Sequence, residues 1–422
     1  MIRWAYTMLL RLIAPVVWLS LWRRSRREGG DWQILAPARF GCFKAEAEQG
    51  RIWVHAVSLG ETRAARTLVD GLLAEGCRVL LTHTTATGRA EGARLFASAM
   101  VSGQLQQTWF PYDFPGSMRR FLAHFRPRVG VLVEREVWPN LVAQASAAGI
   151  PIVLVSARLS ETSAAVMLRL HRLMQPAFSR LSLVLAQTRD DAARLSRAGA
   201  GQVQVIGNLK FDIKPPETAL QTGRAWRESW QRPVVMLAST RDGEEELFIN
   251  AVRALAPMAS RPLFLLVPRH PQRFDEVAGL LQAHGLAFQR RASLPDMASA
   301  GQTDWLLGDS VGEMPVYYAA SSVAIIGGSF KDFGGQNLVE ASACGVPVIV
   351  GPHTRNFEQA SEDALAAGAA LRVGDARAAV AVALDLLGDA SRRTAMQEAA
   401  RIFVAAHQGA TRKAVSALRP WL

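Results

Sequence analysis

GGSFKDFGGQNLVEASACGVPVIVGPHTRN, residues 327–356, is the stretch on which the reading of the fold turns. The apolar run SVAIIGG leads into it, two glycine pairs (Gly327 with Gly328, Gly334 with Gly335) interrupt it, and a helical pattern starts near Gln336. A second short apolar run, VPVIVG, follows. Strand, glycine loop, helix and strand in that order describe one turn of a parallel α/β sheet. Glycine lets the backbone approach a ligand, and a helix start offers unpaired N–H groups to an anion such as phosphate. Glu340, about one turn into the helix, is placed to accept hydrogen bonds from the vicinal hydroxyls of a ribose. An ordinary strand–turn–helix joint has the same letters, so the rest of the chain has to decide.

Outward from that stretch the pattern repeats in both directions. Strand patterns occur at 52–57, 78–83, 128–134, 150–156, 181–187 and 202–207, with helical patterns between them, such as ETRAARTLVDGLLAE at 61–75. Continuous apolar strands alternating with helices imply parallel sheets covered on both faces. Residues 211–232 hold a Pro pair and no strand pattern, and read as a linker. PVVMLAS and PLFLLVP then restart the alternation, and 376–418 is helical. The fold class is therefore α/β with two doubly wound, Rossmann-like domains facing a cleft: an N-terminal domain over 28–210 and a C-terminal one over 233–422.

Ahead of them, residues 1–27 read as a membrane anchor with a basic flank. MIRWAYTMLLRLIAPVVWLSLW just reaches the length a spanning helix needs, Arg3, Arg11 and Pro15 weaken that reading, and RRSRR suits an anionic cytoplasmic surface. The expected location is the inner membrane, with the body of the protein on the cytoplasmic side. A net charge of +12 calls for an anionic partner. The basic residues are dispersed and no nucleic-acid-binding pattern occurs, so nucleic acid is not that partner. Three distant cysteines exclude a disulfide framework and a cysteine zinc site, and no metal site is expected among the scattered histidines.

Loops that follow strands carry the candidate chemistry. HAVSLGET sets Glu61 at a helix start, as a general base or simply as a carboxylate complementing the helix dipole. VEREVWPN ends an apolar strand on Glu134 and Glu136, a costly choice unless they meet a substrate or a cation. GNLKFD brings Lys210, and ASTRDGEEE brings Ser239 and Thr240 as a second anion site beside the loop of Gly327, Gly328, Gly334 and Gly335. LVPRHPQRF supplies Arg269 and His270, and LLGDSVGEMPVYY supplies Val311, Gly312 and Glu313. Arginine suits bidentate phosphate contacts.

Taken together, HAVSLGE, YDFP, EREVWPN, ARLS, GNLKFD, STRDGEE, PRHPQRF, GDSVGEM, GGSF, GGQNLVEA and GPHTRNF resemble, in order, the 3-deoxy-D-manno-octulosonic acid (Kdo) transferase family of membrane-associated glycosyltransferases. The resemblance runs from the anchor to about residue 360. It implies the GT-B fold, CMP-Kdo as donor, the tetraacyl disaccharide bisphosphate precursor of lipid A as acceptor, inversion at the anomeric centre and no metal or other cofactor. It also implies Glu61 as general base, with Lys210 and one acid of EREVWPN, Glu134 ahead of Glu136, supporting the transition state. Arg269, His270, Val311, Gly312, Glu313, Asn337, Leu338, Val339 and Glu340 would hold CMP. Two departures stand out: the family often has Thr where this chain has Arg135, and Pro within the stretch Asn337-Leu338-Val339-Glu340. The alternatives are a GT-B transferase of another nucleotide sugar, and a membrane-bound nucleotide-binding protein without turnover.

Overall fold

The computed structural model describes residues 2–44, 47–212, 214–255, 261–294 and 296–422. Met1 of the expected anchor and Ile213 of the expected linker lie outside them. The chain divides into two compact units, Met1–Asp212 with His407–Leu422, and Ile213–Ala406.

The first unit is built on seven strands: β1 (Ile52–His55), β2 (Val79–His83), β3 (Leu105–Trp109), β4 (Val129–Val133), β5 (Ile152–Ala157), β6 (Leu183–Ala186) and β7 (Val203–Val205). They are all parallel, in the order β3-β2-β1-β4-β5-β6-β7. Side chains of β1, β2, β4, β5 and β6 are buried throughout, because helices cover both faces of a parallel sheet. Trp53, Phe121, Leu132 and Phe178 fill one face and Val54, Leu68, Val131 and Leu185 the other.

The second unit repeats the plan with β8 (Val234–Thr240), β9 (Leu263–Pro268), β10 (Phe288–Arg290), β11 (Trp305–Leu307), β12 (Val323–Ile326), β13 (Val348–Val350) and β14 (Ala370–Arg372). Its order is β10-β11-β9-β8-β12-β13-β14, again all parallel. Two Rossmann-like parallel sheets are thus present, as the alternation in the sequence implies.

Two boundaries differ from the sequence reading. Residues 211–232 are not a linker: after the Pro pair, helix Glu217–Trp230 packs into the second unit. Trp230 donates its indole N–H to the Met297 carbonyl (2.6 Å), and at Gly223 a Cβ would sit 2.3 Å from the Val316 carbonyl oxygen. The fixed φ of proline stops one element and pre-sets the start of the next, which from sequence looks the same as a linker. The second correction concerns the C-terminus, where helix Ala410–Leu418 belongs to the first unit. Ala410, Ala414 and Leu418 are buried in the Leu68 cluster, and the Asp212 carboxylate accepts the Gly409 N–H (2.6 Å) and that of Thr411.

The N-terminal helix, Ile2–Glu28, lies against the first unit along its length. Tyr6 donates to the Asp113 carboxylate (3.0 Å), Thr7 and Asn140 exchange hydrogen bonds, Ala14 is buried, and Trp18 packs on Phe40 and Tyr112 at 5.8 Å each. Leu21 meets the cluster of Trp32, Ala86 and Trp109. The outward face stays apolar, with Trp4, Leu12 and Val16 at 69%, 76% and 69% exposure.

Candidate functional site

In the first unit, the candidate residues come from the carboxyl ends of neighbouring parallel strands, where α/β sheets present their ligand-binding loops. β1 ends at His55, and SLGE then forms a capping box. The Ser58 hydroxyl caps helix Leu59–Ala74 by accepting from the Glu61 N–H, while the Glu61 carboxylate reaches back to the Val57 N–H at 2.5 Å. Glu61 is therefore held at the carboxyl end of the interior strand β1, with its carboxylate engaged in capping the helix start.

Its proton affinity is displaced. Burial pushes the Glu61 carboxyl from an ordinary value of 4.5 up to about 8, and the charges of Glu134 and Glu136 add to the rise against the two backbone hydrogen bonds. Desolvation disfavours the charged carboxylate, and like charges nearby do the same. A carboxylate poised near neutrality is what a general base needs.

The two acids after β4 separate by partner. Glu134, in the left-handed region at φ 63°, accepts a hydrogen bond from Lys210 Nζ at 2.7 Å. Glu136 accepts the Trp138 indole N–H at 2.8 Å; burial raises its carboxyl, opposed by that bond and by the Arg135 charge. Lys210 is aimed by a relay: its backbone N–H donates to the Asn208 side chain, which donates to Gln187 (3.1 Å), which in turn donates to the Ser156 carbonyl (2.9 Å). Ser156 (φ 54°) sits at a register shift in β5. Gln187 and Asn208 act here as positioning residues that the sequence reading did not single out. Polar residues at successive strand ends were the available signal.

The second unit gathers its own loops. Ser239, at φ 57° and again at a register shift, is the last residue but one of β8, and Thr240, which ends the strand, donates to the Glu245 carboxylate at 2.8 Å. Gly327 must be glycine, since a Cβ there would lie 2.7 Å from the Ser239 carbonyl oxygen. Gly328 is left-handed (φ 69°), and its carbonyl accepts the Gly335 N–H at 2.7 Å, closing the loop that also contains Gly334.

Glu244 is fully buried, and its carboxylate holds the loop by accepting the N–H groups of Gly328 (2.6 Å), Phe330 (2.9 Å) and Arg241 (2.8 Å). Glu245 pairs with Arg273 at 2.7 Å. These two glutamates, which the sequence reading passed over, determine the loop's shape. Three consecutive acids in one first turn were the clue.

Arg269, directly after β9, is half-buried and donates from Nε to Gln336 at 3.1 Å, while His270 is exposed. After β11, Val311 and Gly312 are exposed, whereas the Glu313 carboxylate is used internally, accepting from Arg291 (2.9 Å), Ser310 and Tyr317 (3.3 Å).

The stretch 336–340 brings a correction. The helix does not begin near Gln336: it is a single turn, Val339–Ala343, and the Asn337 side chain accepts the Val339 N–H at 3.0 Å. Leu338 and Val339, expected to contact CMP, are both 1% exposed. Their apolar side chains pack inward, leaving Asn337 and Glu340, which share a 3.3 Å hydrogen bond, as the polar groups of that turn. Among the described residues no group of three or more His, Cys, Asp or Glu side chains is arranged to hold a metal. His55 and His83 are core residues whose protonation burial suppresses, to about 3 and about 4.

Against known proteins, a family model described as 3-deoxy-D-manno-octulosonic-acid transferase matches residues 36–213, and one described as glycosyl transferases group 1 matches 297–403. The chain is 57% identical to the 3-deoxy-D-manno-octulosonic acid transferase of Bordetella pertussis, over 100% of this chain and 99% of that one. The chain belongs to the Kdo transferase family. It is accordingly an enzyme, a glycosyltransferase. The Haemophilus influenzae Kdo transferase is 32% identical over 100% of this chain and 99% of its own. Among solved structures, a Rickettsia africae glycosyltransferase covers 89% of this chain and 99% of its own, with TM-score 0.59 and 13% identity. Anabaena HepE in complex with UDP covers 88% of this chain and 100% of its own, with TM-score 0.58 and 14% identity. These two likenesses speak to the fold, which is of the GT-B class.

Proposed function

We propose that this Kdo transferase moves Kdo from CMP-Kdo to a hydroxyl of the tetraacyl disaccharide bisphosphate precursor of lipid A, inverting the anomeric centre and needing no metal ion. The observation that carries the proposal is the Glu61 carboxyl: held by a capping box at the end of β1, beside Glu134 and Glu136, and poised at about 8. In its ionised form Glu61 takes the proton of the acceptor hydroxyl as the oxygen attacks the anomeric carbon of Kdo. The bond from that carbon to the CMP phosphate breaks, and the electron pair leaves with CMP. Lys210, aimed by Glu134, supplies positive charge for the transition state.

In the second unit, the half-buried Arg269 guanidinium is suited to the departing phosphate and Glu340 to the ribose hydroxyls. His270, exposed Val311 and Gly312, and Asn337 would complete the nucleotide contacts, with Ser239, Thr240 and the glycine loop near the phosphate.

The acceptor carries phosphates and acyl chains, so the enzyme has to work at a membrane surface. The N-terminal helix is long and apolar enough to cross a membrane, yet one of its faces is already docked on the first unit. That supports an interfacial anchor on the cytoplasmic face of the inner membrane, with the apolar outer face turned to lipid. The test is to incubate the full-length enzyme with the lipid precursor and CMP-Kdo beside competing nucleotide sugars, in the presence of EDTA, and weigh the products. Product heavier by Kdo alone is expected. Transfer from another sugar nucleotide, or loss of product on chelation, would contradict the proposal.

A further inference from the structure

A cavity of about 540 Å³ lies where the N-terminal helix meets helices Pro139–Ala147 and His171–Phe178 of the same unit. Four arginines line it, Arg3 and Arg11 from one side and Arg172 and Arg180 from the other, and no acidic residue does. Among the described residues Arg11 and Arg172 have no ion-pair partner, and Arg180 donates to the Pro176 carbonyl four residues earlier. The buried acid Asp113 is felt by Arg3 alone of the four, and its carboxylate already accepts the N–H groups of Asn140 (3.1 Å) and Leu141 (2.7 Å) and the Tyr6 hydroxyl. That leaves the guanidiniums of Arg11, Arg172 and Arg180 around one space, where like charges repel unless an anion joins them. Thr7 apart, the rest of the wall is apolar, including Met8 and Trp4, and Trp4 is also part of the helix's exposed apolar face.

We propose that this cavity is a receptor site for a lipid-borne phosphate. The arginine forks match the oxygens of a phosphomonoester or phosphodiester, while the apolar wall and the helix face beside it accept the acyl chains that a soluble anion lacks. The spacing of Arg3, Thr7 and Arg11, four residues apart on one helix, places both arginines on one side with the Thr7–Asn140 bond between them. Arg3 and Arg11, which argue against a spanning helix, thereby gain a role in an interfacial one. Pro139, on the cavity wall, opens the helix that follows the Glu134 and Glu136 loop, so an engaged lipid phosphate lies on the element adjoining those carboxylates. The proposal rests on the reading that the enzyme works at a membrane surface.

The experiment compares full-length protein with the Arg172→Ala/Arg180→Ala variant, two exposed positions whose loss leaves the core intact. Co-sedimentation is measured with vesicles of neutral phosphatidylcholine, of phosphatidylcholine with phosphatidylglycerol, and of phosphatidylcholine with the lipid A precursor, each with and without inorganic phosphate. Far-UV circular dichroism and melting check the fold. Each basic residue near an anionic surface contributes about fivefold in affinity, so the double variant should bind anionic vesicles about thirtyfold more weakly, with neutral vesicles unaffected.

Loss on both anionic vesicles identifies a membrane headgroup, and loss on the precursor vesicles alone identifies the acceptor; either supports the site. Equal binding by the two proteins, or displacement by inorganic phosphate at the lipid's own concentration, overturns it. Unaltered protein that transfers Kdo yet binds no vesicle overturns this site and leaves the transfer reading standing.

Discussion

Glu61 illustrates how much one residue can do. As the fourth member of a capping box it satisfies backbone donors at the start of its helix, and replacing it by alanine costs about 1 kcal/mol on that account alone. Glutamine keeps the hydrogen-bond acceptor and removes the base, so Glu61→Gln separates the two roles.

Because the folded-state carboxyl is raised to about 8, most molecules carry the proton below that pH and cannot accept another. The rate kcat/KM should therefore climb with pH through about 8 and then level off, and an initial-rate series from pH 6 to 10 checks it. Stability runs the opposite way. A raised acid contributes fully below its ordinary value of 4.5 and loses that contribution as pH rises through about 8, so the melting temperature of Glu61→Gln should depend less on pH in that window.

The Glu134–Lys210 pair makes a third test, since both side chains are largely buried. In a Glu134→Gln, Lys210→Met cycle the single changes should each cost nearly as much as the double, with a coupling of about 1–3 kcal/mol in kcat/KM. Additive losses would mean the two act independently.

At the scale of elements, the sequence showed central strands well and edge strands poorly. β3, β10 and β14 were missed, and each lies at an edge of its sheet with a half-exposed pattern and no continuous apolar run. LQQTW at 105–109 is strand by position rather than by letters. The candidate loops were legible because polar residues after an apolar strand are costly unless used, and Glu61, Glu134 and Lys210 stand out on that ground. Glu244, Glu245 and Gln187 were not, because a hydrogen bond to a distant loop leaves no local periodicity.

Segment 211–232 was misread for a related reason: the packing that makes it a helix comes from helix Met314–Ala320, almost a hundred residues away. Gly223→Ala tests that packing. The added methyl meets the Val316 carbonyl and should destabilise the second unit by about 1–3 kcal/mol in denaturant unfolding, despite alanine's better helix propensity.

For the whole molecule, the chain visits its first unit twice. Helix Ala410–Leu418 returns to bury Leu418 beside Leu68, and Asp212 ties the return by accepting two backbone N–H groups. Ending the chain at Ala406 should therefore destabilise the first unit more than the second, seen as early loss of protection around 64–72 in hydrogen exchange, though the deleted residues lie some 200 positions from Asp212 in sequence. Nothing in the local pattern of 410–418 says which sheet it covers, so sequence assigned it to the nearer one.

The fold class and most strand-end residues could be read from order and letter type; what could not was which partner each long-range contact chooses. The proposed function stands or falls on Glu61 acting as the base of Kdo transfer. The most direct measurement is the single-turnover rate of Kdo transfer by Glu61→Gln beside the unaltered enzyme, with CMP binding and melting measured on the same samples. A loss of about 10²–10⁴-fold in rate, with binding and melting retained, is the expected result. A rate near that of the unaltered enzyme would contradict it.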